Sequence, residues 1–270
     1  MPSEAPTPLD DVTVEAVLRT GTLELEGRLV SASNASFVGQ VELDGVAIGC
    51  IYKPVAGERP LWDFPAGTLA GRERAARVVS EAGGWSVVPP TVLRDGRFGP
   101  GMCQRWIEVT DQHALVDVVS ADFAETGWLA VLEAVDTADR PVLLVHADAP
   151  KLRSMAVLDV VINNADRKGG HVLVDEDGAV WGCDHGVCFH DEAKLRTVLW
   201  GWADDVLREE DVSALRRLNS LLVGDLHVEL AQWLTEDELS AMRKRVDTLL
   251  AERRMPEPGA TWPAIPWPPF

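Results

Sequence analysis

The sequence predicts an α+β protein in two parts, a β-rich N-terminal lobe with one helix and a mainly helical C-terminal lobe. Two observations carry this. Strand-like runs crowd the first 108 residues, with Asp44-Gly45 between two of them as a type I′ hairpin signal. From about residue 109, helical spacing dominates, interrupted by one loop–strand–turn–strand unit over 163–186. The expected division is a flexible N-terminus (1–12), an N-lobe (13–108), a C-lobe (109–255) and an arm (256–270).

Taken in order, Thr13–Thr20 reads as a short helix, followed by strands over Leu23–Val30, Gly39–Leu43 and Val46–Tyr52. The small polar segment Ser31–Ser36 links the first two strands as a turn that lets backbone approach a ligand. Thr68–Ala82 is rich in Ala, Arg and Glu, and Gly83-Gly84 ends it as a helix. Val87–Leu93, interrupted by Pro89-Pro90, and Met102–Glu108 read as strands. Helices are expected at Trp128–Ala134, Pro150–Asn163, Val212–Gly224 and Glu236–Arg254, with short strands at His171–Val174 and Val180–Cys183. The arm holds six prolines and two tryptophans and reads as a polyproline-like segment that packs on a surface or engages a partner.

Composition narrows the function classes. The 270 residues carry 43 acidic and 25 basic side chains, a formal net charge of −18. Nucleic acid and anionic lipid surfaces are poor partners for that balance, although a local basic pocket is compatible with it. The four cysteines, Cys50, Cys103, Cys183 and Cys188, form no CxxC pair and read as reduced thiols. No secretory leader and no apolar run of membrane-spanning length is present, so a cytoplasmic location is expected. Trp62, Trp85, Trp128 and Trp233 are expected as packing anchors.

The chemistry concentrates in Asn163-Asn-Ala-Asp-Arg-Lys-Gly-Gly-His171, and in Asp184-His-Gly186 just after the next hairpin. Phosphoryl transfer needs a carboxylate to orient the attacking hydroxyl, ligands for a divalent cation, and cations facing the transferred group. Asp166 suits the first role, and Asp184 with His171 the second. Lys168 suits the third, while Arg167 either contacts phosphate or braces the loop.

These motifs resemble the protein-kinase-like superfamily, closest to its phosphatidylinositol 3-/4-kinase and HipA-type branches. Ala165-Asp-Arg-Lys-Gly-Gly-His171 is similar to their GDRHxxN loop, Asp184-His-Gly186 to their DFG triplet, and Ile51-Tyr-Lys-Pro54 to the strand that presents the ATP lysine. The GERPLWDFP, NNADRKGGH, DHGVCFH and KLRTVLWGW segments resemble an actinobacterial phosphatidylinositol 3-/4-kinase-like group over nearly the whole chain. The resemblance implies a bilobal protein-kinase-like fold with ATP and Mg²⁺ or Mn²⁺ as cofactors. It implies Lys53 on the α/β-phosphates and Glu73 as its helix partner, with Glu81 and Glu58 as rival acids. It implies a hinge for adenine at Gln104, Arg105, Trp106 and Ile107, and the turn with Ser33, Asn34 and Ser36 in place of a glycine-rich phosphate loop.

Three departures stand out. His171 replaces the metal-ligand Asn, which favours Mn²⁺ more than usual because imidazole is a softer donor. His185 replaces the middle Phe, and no GxGxxG is present. The expected activity is metal-dependent transfer from ATP to a hydroxyl of a protein or small molecule, with autophosphorylation in the Ser31–Ser36 turn or at Thr197. A nucleotide-binding scaffold without turnover and an AMP-transferring enzyme are the alternatives. A phosphoinositide acceptor fits poorly, since Gly186–Leu195 holds Lys194 against Asp191 and Glu192. Trp200 and Trp202 are expected to pack the segment that follows.

Overall fold

A computed structural model of the chain describes residues 9–29, 34–111, 113–259 and 263–270. The class is α+β. By contacts the chain forms two compact units, one of residues up to Ala70 plus Pro90–Trp106, the other of Gly71–Pro89 plus Ile107–Phe270.

In the first unit, α1 (Asp11–Thr20) is capped by Asp10, whose carboxylate accepts from the Thr13 amide at 2.7 Å. Strands β1 (Thr22–Arg28), β2 (Phe37–Leu43), β3 (Val46–Pro54), β4 (Thr91–Gly96) and β5 (Gly99–Arg105) form one antiparallel sheet in the order β1-β2-β3-β5-β4. Asp44 and Gly45 both have positive φ, 50° and 80°, as the I′ hairpin joining β2 and β3 requires. Val14, Val17 and Leu18 of α1 pack on Val41, Ile48, Cys50, Val92 and Cys103 of the sheet. Alternation along β3 therefore puts Lys53 on the face away from α1, cross-strand from Met102. Two strands start three or more residues from the expected position. β4 begins only after Pro89-Pro90, since proline cannot donate to a ladder, and β5 runs from Gly99 rather than Met102. Trp62 is 83% exposed and anchors no core, unlike Trp85.

Helix α2 (Leu69–Gly83) begins in the first unit and belongs to the second from Gly71 onward. Glu58 caps it, accepting from the amides of Leu69 (3.3 Å) and Ala70 (2.9 Å).

In the second unit, β6 (Val116–Ser120), β7 (Trp128–Val135) and β8 (Pro141–Ala147) make a sheet of order β6-β8-β7. This corrects the helix expected at Trp128–Ala134. Its Leu, Ala and Glu residues are good helix formers, but pairing with the β-rich Pro141–Ala147 overrides propensity. The hairpin is closed by Asp136, which accepts from the amides of Ala138 (2.8 Å) and Arg140 (3.0 Å), with Asp139 at φ 56°.

α3 (Pro150–Ile162) follows, with buried side chains from Met155 through Ile162 without a break. β9 (Val172–Val174) and β10 (Val180–Gly182) form the expected hairpin. α4 (Glu209–Leu221) starts earlier than expected because Arg208 and Asp211 cap it, and a separate α5 (Asp225–Leu230) follows. α6 (Glu236–Glu252) opens on a Thr235/Glu238 capping box. α3, α4 and α6 share the main core with Trp85, Phe189 and Trp202. All four cysteines are free thiols. Among the described residues no helix is long and apolar enough to cross a membrane.

Candidate active site

Two adjacent asparagines shape the loop after α3. Asn163 takes the left-handed conformation (φ 52°) that ends the helix. Its amide nitrogen donates to the carbonyls of His190 (2.8 Å) and Glu192 (2.6 Å), and its side-chain oxygen accepts from the Lys194 amide at 3.0 Å. Asn164 accepts from the Asp166 amide at 3.0 Å and donates to Asp159 Oδ1 at 2.9 Å. The loop amides of Ala165 and Arg167 donate to the carbonyls of Val187 and Arg196, while Asp166 and Lys168 stay half-exposed.

Two side-chain pairs meet at this loop. Lys168 Nζ lies 3.7 Å from Asp166 Oδ2. His171 Nε2 lies 3.4 Å from Asp184 Oδ2, an approach set by the β9–β10 hairpin, where the Cys183 amide donates to the His171 carbonyl at 3.1 Å. Burial pushes the Asp166 carboxyl above the usual 3.8; Lys168 and Arg196 oppose that, and the nearby Asp184 charge adds to it. Asp184 beside the His171 imidazole offers two donors that a divalent cation would complete with phosphate or water oxygens. No cage of three or more His, Cys, Asp or Glu side chains exists among the described residues.

Arg167 is turned into the interior, away from solvent. Its side chain has no exposure. Nη2 is 3.0 Å from Asp159 Oδ1, and Nη1 donates to the carbonyls of His171 (3.2 Å) and Cys183 (3.0 Å). Nη2 also donates to His185 Nε2 at 2.7 Å. Burial acts to lower the guanidinium pKa, but Asp159 outweighs it and the group stays charged. Accepting at Nε2 places the His185 proton on Nδ1, 3.9 Å from Glu73 Oε2. The same Glu73 oxygen accepts from the His185 amide at 2.9 Å. Arg167 is therefore the brace that ties the Asp166 loop to the Asp184 loop, and a methyl on Gly182 would press against its guanidinium.

His185 has a structural place in this buried network, whose members Asp159 and Asn164 were not among the sequence candidates. The signal was available for Asp159, a lone acid inside the apolar run Leu158–Ile162. Of the acids weighed beside Lys53, Glu73 is the buried one. Exposed Glu81 pairs with the buried Arg77 at 2.8 Å, and Glu58 caps α2.

The remaining predicted residues lie in the first unit, apart from Ile107. Ser33 lies outside the described residues. Asn34 accepts from the Arg59 amide at 2.8 Å, and the Ser36 hydroxyl is buried and donates to the Asn34 carbonyl at 3.4 Å. Gln104 turns its side chain onto Thr91 Oγ1 (2.8 Å). The amides of Arg105 and Trp106 donate to Pro90 (2.9 Å) and Gly49 (2.8 Å). Ile107 opens the second unit.

No family model matches this sequence. Protein Rv2133c of Mycobacterium tuberculosis (strain ATCC 25618 / H37Rv) is 48% identical over 264 residues, covering 94% of this chain and 95% of that protein. The chain belongs to the Rv2133c family. Among solved structures, the Helicobacter pylori proinflammatory kinase CtkA aligns with a TM-score of 0.43 and 10% identity, over 88% of this chain and 94% of that one.

In this Rv2133c-family chain the segment after the Asp184 loop is built into the interior. The Thr197 hydroxyl is buried and donates to Asp159 Oδ2 at 3.3 Å, so it is not presented for modification. Trp202 is buried, donates to Asp148 at 3.0 Å and lies against the His146 ring at 4.2 Å.

Proposed function

We propose that this Rv2133c-family protein is an ATP-dependent phosphotransferase that passes the γ-phosphoryl group to a hydroxyl. The supporting observation is the meeting of Asp166–Lys168 and His171–Asp184 on two loops locked by the buried Asp159–Arg167–His185 chain. The motif resemblance assigns Lys53 to the α/β-phosphates and residues 104–107 to adenine.

Asp166 receives the acceptor's proton as its oxygen bonds to the γ-phosphorus, while the bond to the β-bridging oxygen breaks and ADP leaves. Lys168 offsets charge on the transferred oxygens. Asp184 and His171 are the residues that would hold Mg²⁺ or Mn²⁺, whose charge would screen the phosphates. Arg167 positions both loops without touching substrate.

The acceptor is a protein or small molecule rather than a polyphosphorylated lipid headgroup. The lone lysine of the 186–195 segment, Lys194, is turned inward beside Glu192 at 3.8 Å, while Asp191 and Glu192 face solvent. The test uses γ- and α-labelled ATP with either metal and candidate acceptors. Label from γ that is lost in Asp166→Asn supports the assignment. Label from α makes the protein a nucleotidyl transferase. Metal–nucleotide binding seen as thermal stabilisation, without transfer, makes it a scaffold, and no stabilisation overturns the reading.

A further inference from the structure

Residues 263–270 lie along the Asp166 loop and the 196–200 segment. The Pro269 carbonyl accepts from the Gly169 amide at 2.7 Å, and the Phe270 ring covers Gly169 so closely that a methyl there would overlap it. His113 flanks that ring at 5.4 Å. Further along, the Ala264 carbonyl accepts twice, from the Thr197 amide (3.0 Å) and from Trp200 Nε1 (2.8 Å). The Ile265 carbonyl accepts from Arg196 at 3.4 Å. Gly169 is the residue next to Lys168, and Thr197 forms a bridge with Arg167. One short segment is therefore bonded to both the loop that carries Asp166 and the 196–200 segment bridged to it.

We infer that the arm is a positioning element of the catalytic loop, with Phe270 its key residue. Gly169 sits where the loop turns after Lys168, and its amide finds its acceptor on the arm. Without the Phe270 ring and the Pro269 carbonyl, that amide faces water and the Lys168 backbone loses its buttress. The prolines at 263, 266, 268 and 269 limit the entropy lost on holding the segment in this shape. This inference rests on the phosphotransferase reading for its kinetic consequence and on the structure alone for its effect on the loop.

The experiment compares the full chain with Phe270→Ala and Phe270→Tyr. The first readout, hydrogen exchange by mass spectrometry, needs no activity. Phe270→Ala should speed exchange across 166–171 and 196–200 and leave α4 and α6 unchanged, while Phe270→Tyr, which keeps the ring, should match wild type. The second readout is γ-phosphate transfer. Phe270→Ala should lower kcat by about tenfold or more with KM for ATP nearly unchanged, because misplaced groups cost rate more than binding. Phe270→Tyr should restore kcat. Unchanged exchange at 166–171 in Phe270→Ala overturns the inference, as does a rise in kcat, which would make the arm an inhibitory occupant. If wild type transfers no phosphate, the phosphotransferase reading fails, and the exchange comparison still decides the arm's role.

Discussion

Arg167 and Asp159 form an ion pair, 3.0 Å between Nη2 and Oδ1, in which neither side chain is exposed. Removing one member strands the other charge in a site that water does not reach. Asp159→Asn should destabilise the protein by about 3–5 kcal/mol, read from urea or thermal unfolding. The double change Asp159→Leu with Arg167→Met should recover much of that loss, because it leaves no buried charge. It should not recover phosphate transfer, because the loops lose their brace. A near-wild-type melting temperature for Asp159→Asn alone would contradict the role given to this pair.

Asp166 acts as a base only when ionised. Burial raises its pKa, so the acid limb of kcat/KM should lie above the 3.8 of an ordinary aspartate. Lys168 pulls that value down. Lys168→Met should therefore move the limb to higher pH as well as slow the reaction. A limb that stays in place on this substitution would separate Lys168 from Asp166.

His146 offers a pH effect on stability away from the site. Burial depresses its pKa below 6.5, and its Nε2 accepts from the Gly201 amide at 3.0 Å. The folded state resists protonation that the unfolded chain accepts. Stability is thus fully present above pH 6.5 and falls as pH drops below it toward the folded value. His146→Gln, which keeps an acceptor for Gly201, should flatten the melting temperature between pH 7.5 and 5.5 relative to wild type. An equally steep profile would place the proton uptake elsewhere.

In the proposed site His171 would be the cation's softer donor. His171→Asn should lower the ratio of Mn²⁺-supported to Mg²⁺-supported transfer, since an amide oxygen is the harder ligand. A ratio identical to wild type would remove His171 from the ligand set.

Local signals in the sequence were enough for some of this. The Asp44-Gly45 hairpin, α3 and the β9–β10 unit all follow from turn residues and periodicity within a few positions, and the last two bring Asp166, His171 and Asp184 to one place. The sheet β6-β8-β7 did not follow, because the helix-forming composition of Trp128–Val135 is overruled by a partner strand, Pro141–Ala147. The role of Arg167 was half legible. Its sequence neighbours suggest phosphate, whereas its counter-charge lies eight residues back inside a helix. The docking of the arm on Gly169 carries no local signal at all, since nothing in a run of prolines names the surface it meets.

The φ of +57° at Asp184 affects how the site is best probed. Aspartate and asparagine tolerate left-handed backbone, whereas alanine there pays roughly 1–2 kcal/mol. An alanine scan at this position would therefore report a relaxed turn together with a lost carboxylate. Asparagine is the cleaner inactivating substitution, because it removes the charge and keeps the residue type that the backbone favours.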